Sequence, residues 1–239
     1  MRAETRPYFI RQLRSKISDF YMNHFLIPQF DEVGEGLNVT GPWEVEVWGA
    51  GVELGKKVHL RASKGAMIRF ATWQNGDRQG RITLGDYVLI SPGNHIIASE
   101  HIEIGNNAMI ASNCYISDSD WHDTYDRTAE LDKHAPIKIG ENAWLGARVM
   151  VSKGVTIGTN SIIAAGSVVV SDIPDNVIAG GNPAKVIKQL DPDGPFRKRE
   201  ALLEDPDLDQ EMENLARYIL RHNTFWSWLR VKFWPTKAD

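Results

Sequence analysis

Hydrophobic residues along this chain recur with a period of six, which is neither the 3.6 of a helix nor the 2 of a simple strand. An aliphatic residue, then Gly, then a small or aliphatic residue three further on appears at Val33, Leu54, Leu84, Ile104, Ile139 and Ile157. Between these anchors the beat runs through Leu84, Ile90 and Ile96, then Ile104, Ile110 and Ile116, then Ile139, Leu145, Val151, Ile157, Ile163 and Val169. A period of six suits a chain that runs one short strand, turns a corner and repeats; three such faces make a coil of about eighteen residues, and stacked coils pair as parallel strands around one aliphatic column. The position four after each beat also points inward and must be small. Val88, Ala108, Cys114, Ala143, Val149, Val155, Ser161 and Ser167 stand there, so Cys114 reads as packing and not as a nucleophile. In the same frame three inner positions are polar: Asn94, Glu100 and Asp120. A buried polar group is costly unless hydrogen-bonded or opened onto a site, so corner hydrogen bonds and function are both open for them.

The beat is broken where the chain leaves the coils. Residues 61 to 83 hold one excursion, and a larger one separates Ile116 from Ile139, containing "CYISDSDWHDTYDRTAELDKHAPIKIG". Loops on a rigid scaffold are where binding and catalysis concentrate. Before the coils, Phe9, Leu13, Ile17, Phe20 and Phe25 fall at roughly helical spacing, which predicts an amphipathic helix covering the open end of the stack. After them, a linker rich in Asp and Pro leads to "LDQEMENLARYILRHNTFWSWLRVKFW", which reads as a helix with an aromatic and basic end. The pattern thus divides the chain into a helical segment 1–30, coils 31–190 with an insertion at 117–138, and a tail 191–239.

The chain's 239 residues, 42% hydrophobic and 24% charged, suffice for a sizeable core. A formal charge of −4 and a pI near 6.0 argue against a nucleic-acid binder working through a broad basic field. One cysteine permits no internal disulfide, which favours a reducing compartment. No stretch of about 18 apolar residues appears, and the charged N-terminal stretch does not read as a signal peptide; the expected location is the cytoplasm. The Trp-rich tail, with Arg and Lys, has a composition that suits either packing, a subunit contact or weak contact with a membrane surface.

From Leu84 to Lys188 the chain resembles the hexapeptide acyltransferases, most specifically in "IGENAWLGARVMVSKGVTIGTNSIIAAGSVVVSDIPDNVIAGGNPAKVI", which looks like the last coils and terminal loop of sugar O-acetyltransferases of the galactoside and maltose type. The resemblance implies an all-β fold, a left-handed parallel β-helix of hexapeptide coils flanked here by an N-terminal helix and a C-terminal helical tail. It also implies a homotrimer with sites between subunits, acetyl-CoA as co-substrate without a metal, and transfer to a hydroxyl of a small-molecule sugar, nucleotide sugar or polysaccharide precursor. In such enzymes the base is a histidine in the loop before the "IGxNxWxG" coil, a place taken by His122, although Trp121 and Asp123 flank it where relatives carry a small residue and often Pro. His134 is the competing residue.

Moving an acetyl group from thioester to hydroxyl needs a base and then a proton for the departing thiolate, and imidazole serves both near neutral pH. Asp118, Asp120 and Asp123 are carboxylates near enough in sequence to orient His122, and the sequence does not choose among them. Asn94 resembles an acceptor-side Asn, Asp118 is a further acceptor candidate, and Trp144 would flank sugar or thioester or else pack at a corner. For the coenzyme the resemblance implies Gly146, Ala147, Ala165 and Gly166 along the pantetheine, with Lys185 and Lys188 toward the nucleotide phosphates; Val170 and Ser171 replace a Thr and Lys common in relatives. Two other enzyme readings stand beside this one. An N-acetyltransferase on an amino sugar or nucleotide-linked amino sugar would use the same base and groove. A metal hydratase like the γ-type carbonic anhydrases needs histidines on matched faces, whereas His95 and His101 are six apart. A non-catalytic β-helix leaves the His122 loop and "GNPAKVI" unexplained.

Overall fold

The aliphatic beat stacks as its period requires. The protein, described from a computed structural model over residues 4–129 and 133–236, is a three-faced parallel β-prism of two six-stranded sheets and one eight-stranded sheet. Glu130 to Asp132, within the expected insertion, and residues 1–3 and 237–239 lie outside the described residues. One column pairs Val33 with Leu54, Leu54 with Leu84, Leu84 with Ile104, Ile104 with Ile139 and Ile139 with Ile157. Leu60, Ile90, Ile110, Leu145 and Ile163 stack in the second sheet, and Phe70, Ile96, Ile116, Val151 and Val169 in the third. All of these second- and third-sheet residues are buried, so each coil exchanges water for the apolar floor and ceiling of its neighbours.

Corners decide the spacing of the beat. A Cβ on Gly140 would lie 2.7 Å from the backbone nitrogen of Thr159 in the next coil, which explains the glycine after the aliphatic anchor. Two residues on, Asn142 and Asn160 adopt φ of 55° and 56°, a left-handed conformation that Asn tolerates, and the Asn142 side chain donates to Asn160 at 2.9 Å.

The structure corrects four expectations. Ser99 and Glu100 form a tight corner after His95–Ala98, so Ala98 and Ile102 fill the interior while Glu100 turns outward; Asp120 is likewise exposed, and the buried carboxylate is that of Asp118. Helix α1, Tyr8–Tyr21, forms, but it buries no residue: its apolar row stands 53 to 56% exposed at Phe9, Leu13, Ile17 and Phe20. Its opposite side, through Ser15, Ser18 and Asp19, faces a cleft. The tail is three helices rather than one long one: α2 (Glu200–Leu203), α3 (Leu208–Leu220) and α4 (Phe225–Phe233). The break between α3 and α4 follows from Asn223, whose amide donates to Glu4 and Arg6 carbonyls, and from Thr224, which forms a capping box with Ser227.

Ahead of α3 the tail straps one column of corners. Lys198 reaches Glu141 at 2.6 Å, Glu200 and Asn107 exchange hydrogen bonds, Arg199 donates to the Tyr87 carbonyl at 2.7 Å, and Lys57 donates to the Leu203 carbonyl at 2.6 Å. His59 is half-buried beside this strap, and burial, then Arg61 and Arg199, pull its pKa down to about 4.

Candidate functional site

The loop between strands Tyr115–Ser117 and Ile137–Ile139 is tied at its base. Ser119 and His134 pair as an antiparallel bridge, Asp120 N donates to the Lys133 carbonyl at 3.2 Å, and Ala135 N donates to the Asp118 carbonyl at 2.9 Å. Asp118 is fully buried and accepts from Ser99 N at 2.7 Å and Glu100 N at 2.8 Å, and burial raises its pKa. Its carboxylate therefore holds the preceding corner, which is a structural use and not the substrate contact expected of it. Asp120 pairs with Lys153 at 2.6 Å. Asp123 pairs with Lys133 and caps Tyr125 N and Asp126 N, contacts that hold its pKa well below the usual carboxylate range. All three carboxylates are thus committed elsewhere, and none orients His122.

His122 itself is exposed and has no hydrogen bond among the described residues. His134 is the opposite case. Its side chain is 6% exposed, and because a guanidinium can only donate, the 2.8 Å contact from Arg78 makes Nε2 an acceptor and occupies its lone pair. A base needs a free lone pair beside the substrate proton, so only His122 of the two is equipped for that work.

Arg78 belongs to a hairpin, Gln74–Asn75 with Arg78–Gln79, which is the excursion expected within residues 61–83. The hairpin and the His122 loop therefore meet. They meet again through aromatic rings: Trp73 lies 4.3 Å from Trp48 and 5.6 Å from Trp121, centroid to centroid. Trp48 and Trp73 remain 49% and 42% exposed, while the outward-facing positions Ala71 and Ser117 on this sheet are buried. Trp121 adopts φ 61°, a strained conformation for a bulky residue, and its indole N–H donates to Ser117 Oγ at 3.1 Å. Sequence reading missed this trio because its members are distant in the chain; the signal available was a tryptophan inside each excursion, Trp73 and Trp121.

The other expected site residues fall into two groups. Asn94 is completely buried, donates to the Ser91 and Ala111 carbonyls at 2.6 and 2.9 Å, and accepts from Cys114 N at 3.0 Å. Every polar atom of its side chain serves a corner, so it does not face an acceptor. Trp144 is half exposed on the outer face of the eight-stranded sheet, in register with Met109 and Ile162, away from the sheet that bears the tryptophan trio. A single chain does not bring it to His122.

The coenzyme candidates do converge. Gly146 and Ala147 form one corner with Ala165 and Gly166 directly above, joined by Gly166 N to the Ala147 carbonyl at 2.8 Å; a Cβ on Gly146 would lie 2.7 Å from Ala165 N. The next backbone level is Gly180, paired with Lys185 in the closing antiparallel hairpin, and Lys188 pairs with Ile178. Lys185 is exposed. Small residues thus line one corner column that leads to a cationic end. Cys114 lies inside this corner, its thiol donating to Ala111 and Gly146 carbonyls, and burial pushes its pKa up to about 11.

Residues 136–171 match the family model described as bacterial transferase hexapeptide (six repeats). Over 115 residues the chain is 41% identical to a putative acetyltransferase of Saccharomyces cerevisiae, YJL218W, covering 48% of this chain and 59% of that protein. Over 97 residues it is 41% identical to the galactoside O-acetyltransferase of Escherichia coli, covering 40% and 47%. The chain therefore spans about half the length of these curated relatives. Among solved structures, AntD, an N-acyltransferase from Bacillus cereus in complex with dTDP and 3-hydroxybutyryl-CoA, superposes with a TM-score of 0.57 at 18% identity, over 80% of this chain and 96% of that one. That likeness establishes the shared fold.

Proposed function

We propose that this chain, whose residues 136–171 match the bacterial transferase hexapeptide model, carries out acetyl-CoA-dependent O-acetylation of a saccharide hydroxyl, with His122 as general base. The observation that carries this reading is the contrast between the two loop histidines: the His134 side chain is 6% exposed with its Nε2 occupied by Arg78, whereas His122 is exposed, unpaired among the described residues, and adjacent to Trp121.

A ring nitrogen of His122 accepts the acceptor hydroxyl proton as that oxygen forms its bond to the thioester carbonyl carbon. The carbon–sulfur bond of the resulting tetrahedral intermediate then breaks, and the imidazolium returns the proton to the departing thiolate, giving the ester and free thiol. A backbone N–H serves the oxyanion. The pantetheine lies along Gly146, Ala147, Ala165 and Gly166, and Lys185, helped by Lys188, attracts the phosphates. Trp48, Trp73 and Trp121 form the acceptor platform, on which the apolar face of a sugar ring stacks while its hydroxyls point toward the loop. Left-handed coils, a homotrimer that completes each site with a neighbouring subunit, and a cytoplasmic setting belong to the same reading.

Incubating the protein with acetyl-CoA and a panel of sugars, amino sugars, nucleotide sugars and oligosaccharides, with thiol release as readout, tests it. Thiol release with a hydroxyl acceptor, and an ester in the product, is expected. Exclusive transfer to amines would replace O- by N-acetylation, and no transfer to any member of the panel would overturn the reading.

A further inference from the structure

The apolar row of α1 faces outward. Phe9, Leu13, Ile17 and Phe20 recur with helical spacing, as a core-facing stripe does, yet each is more than half exposed. The side that faces the protein is the polar one: Arg11, Arg14, Ser15, Ser18 and Asp19 line a cleft of about 740 Å³ shared with residues 37–41 and the end of α3. The row continues into the tail, since the Phe9 ring lies 6.5 Å from that of Phe225, which in turn contacts Trp226 and Trp228. Trp226 is 76% and Trp234 73% exposed. Exposed apolar side chains gathered in this way, with polar residues beside them, mark an interaction surface.

Charge indicates what covers it. From Thr224 to Thr236 the chain carries Arg230 and Lys232 and no acidic residue. On α1, Lys16 borders the apolar row, while Asp19, the helix's one acid, lines the cleft behind. Of the acids on α3, Glu213 is paired with Arg11 and Arg217, while Asp209 and Glu211 stand in the first turn, at the end of the helix away from α4. A second copy presenting the same face would set Lys16 and Lys232 against their counterparts, whereas an anionic lipid surface suits both these cations and the apolar row. Neither helix can cross a bilayer: α1 has 14 residues and α4 has 9. Trp and Phe beside Arg and Lys suit the headgroup boundary, where an aromatic body meets acyl chains and a cation meets phosphate.

We propose that α1 and α4 together form a docking surface for an anionic bilayer, on which the protein lies without insertion of a span. This inference rests on no assumption about the reaction. The full chain is sedimented with vesicles of phosphatidylcholine alone and of phosphatidylcholine with phosphatidylglycerol. The expected result is binding to the phosphatidylglycerol vesicles, weak binding to neutral ones, and weakening with salt. The double variant Leu13→Ser, Trp226→Ser removes two exposed side chains without opening a cavity; it should keep its melting temperature and its assembly size and lose vesicle affinity by about tenfold or more. Wild-type protein that stays in the supernatant with both vesicles, or a double variant that binds as well as wild type, would overturn the proposal. So would a double variant with a smaller assembly size, which would make the face a subunit contact.

Discussion

At the scale of single residues, the useful distinction is between polar groups that finish a corner and polar groups left for chemistry. Asn94 stands at an inner position where sequence leaves both roles open; the three hydrogen bonds it makes decide for the corner. Asn94→Ala removes the side-chain partners of the Cys114 N–H and the Ser91 carbonyl and one of two donors to the Ala111 carbonyl, so it should cost roughly 1–3 kcal/mol by denaturant unfolding. Activity of the folded fraction should survive. Cys114 was legible from the beat alone, because its place called for a small apolar residue. The commitments of Asp118, Asp120 and Asp123 were not, since their partners Ser99, Lys153 and Lys133 are set by how the loop folds back.

At the scale of elements, the coils were legible because a period of six allows one arrangement of inward residues, and the registers follow it from Val33 to Ile157. The helices were legible only as helices. Periodicity gives a helix an apolar face but not the partner for that face, and α1 directs its face away from the prism. The hairpin and the His122 loop were each visible as breaks in the beat, but their meeting through Arg78 and His134 and through Trp73 and Trp121 depends on stacking of distant coils. Trp73→Ala tests the platform at this scale. It should raise the acceptor KM by about tenfold, the loss of one stacking contact, with kcat and the KM for acetyl-CoA nearly unchanged, the kinetic form of lost uniform binding. Unchanged acceptor KM would remove the platform from the site.

At the scale of the whole molecule, the prism provides rigidity, the strap closes one corner column, and the proposed base and the proposed coenzyme groove lie on different elements. The strap carries a pH dependence whose sign follows from His59. Its folded pKa, about 4, is below the ordinary 6.5. Between those values the unfolded chain binds a proton that the folded chain refuses, so stability is full above pH 6.5 and declines as pH falls toward 4. Melting temperature should drop by a few degrees across that window, and His59→Gln should flatten the decline; a flat wild-type profile would contradict the strap's role. Lys185→Ala belongs to this scale as well, because it separates the coenzyme end from the loop. It should raise the KM for acetyl-CoA with little change in kcat, and an effect on the acceptor instead would reassign the residue.

In the proposed reaction the exposed His122, and not the Arg78-bound His134, takes the acceptor proton. The most direct measurement compares kcat for wild type, His122→Ala and His134→Ala on one acceptor found by thiol release, with melting temperatures taken in parallel. His122→Ala should lower kcat by roughly 10²- to 10⁴-fold with an unchanged melting temperature, and His134→Ala should be mild in kcat by comparison. Full turnover by His122→Ala, or the reverse order of the two variants, would contradict the account.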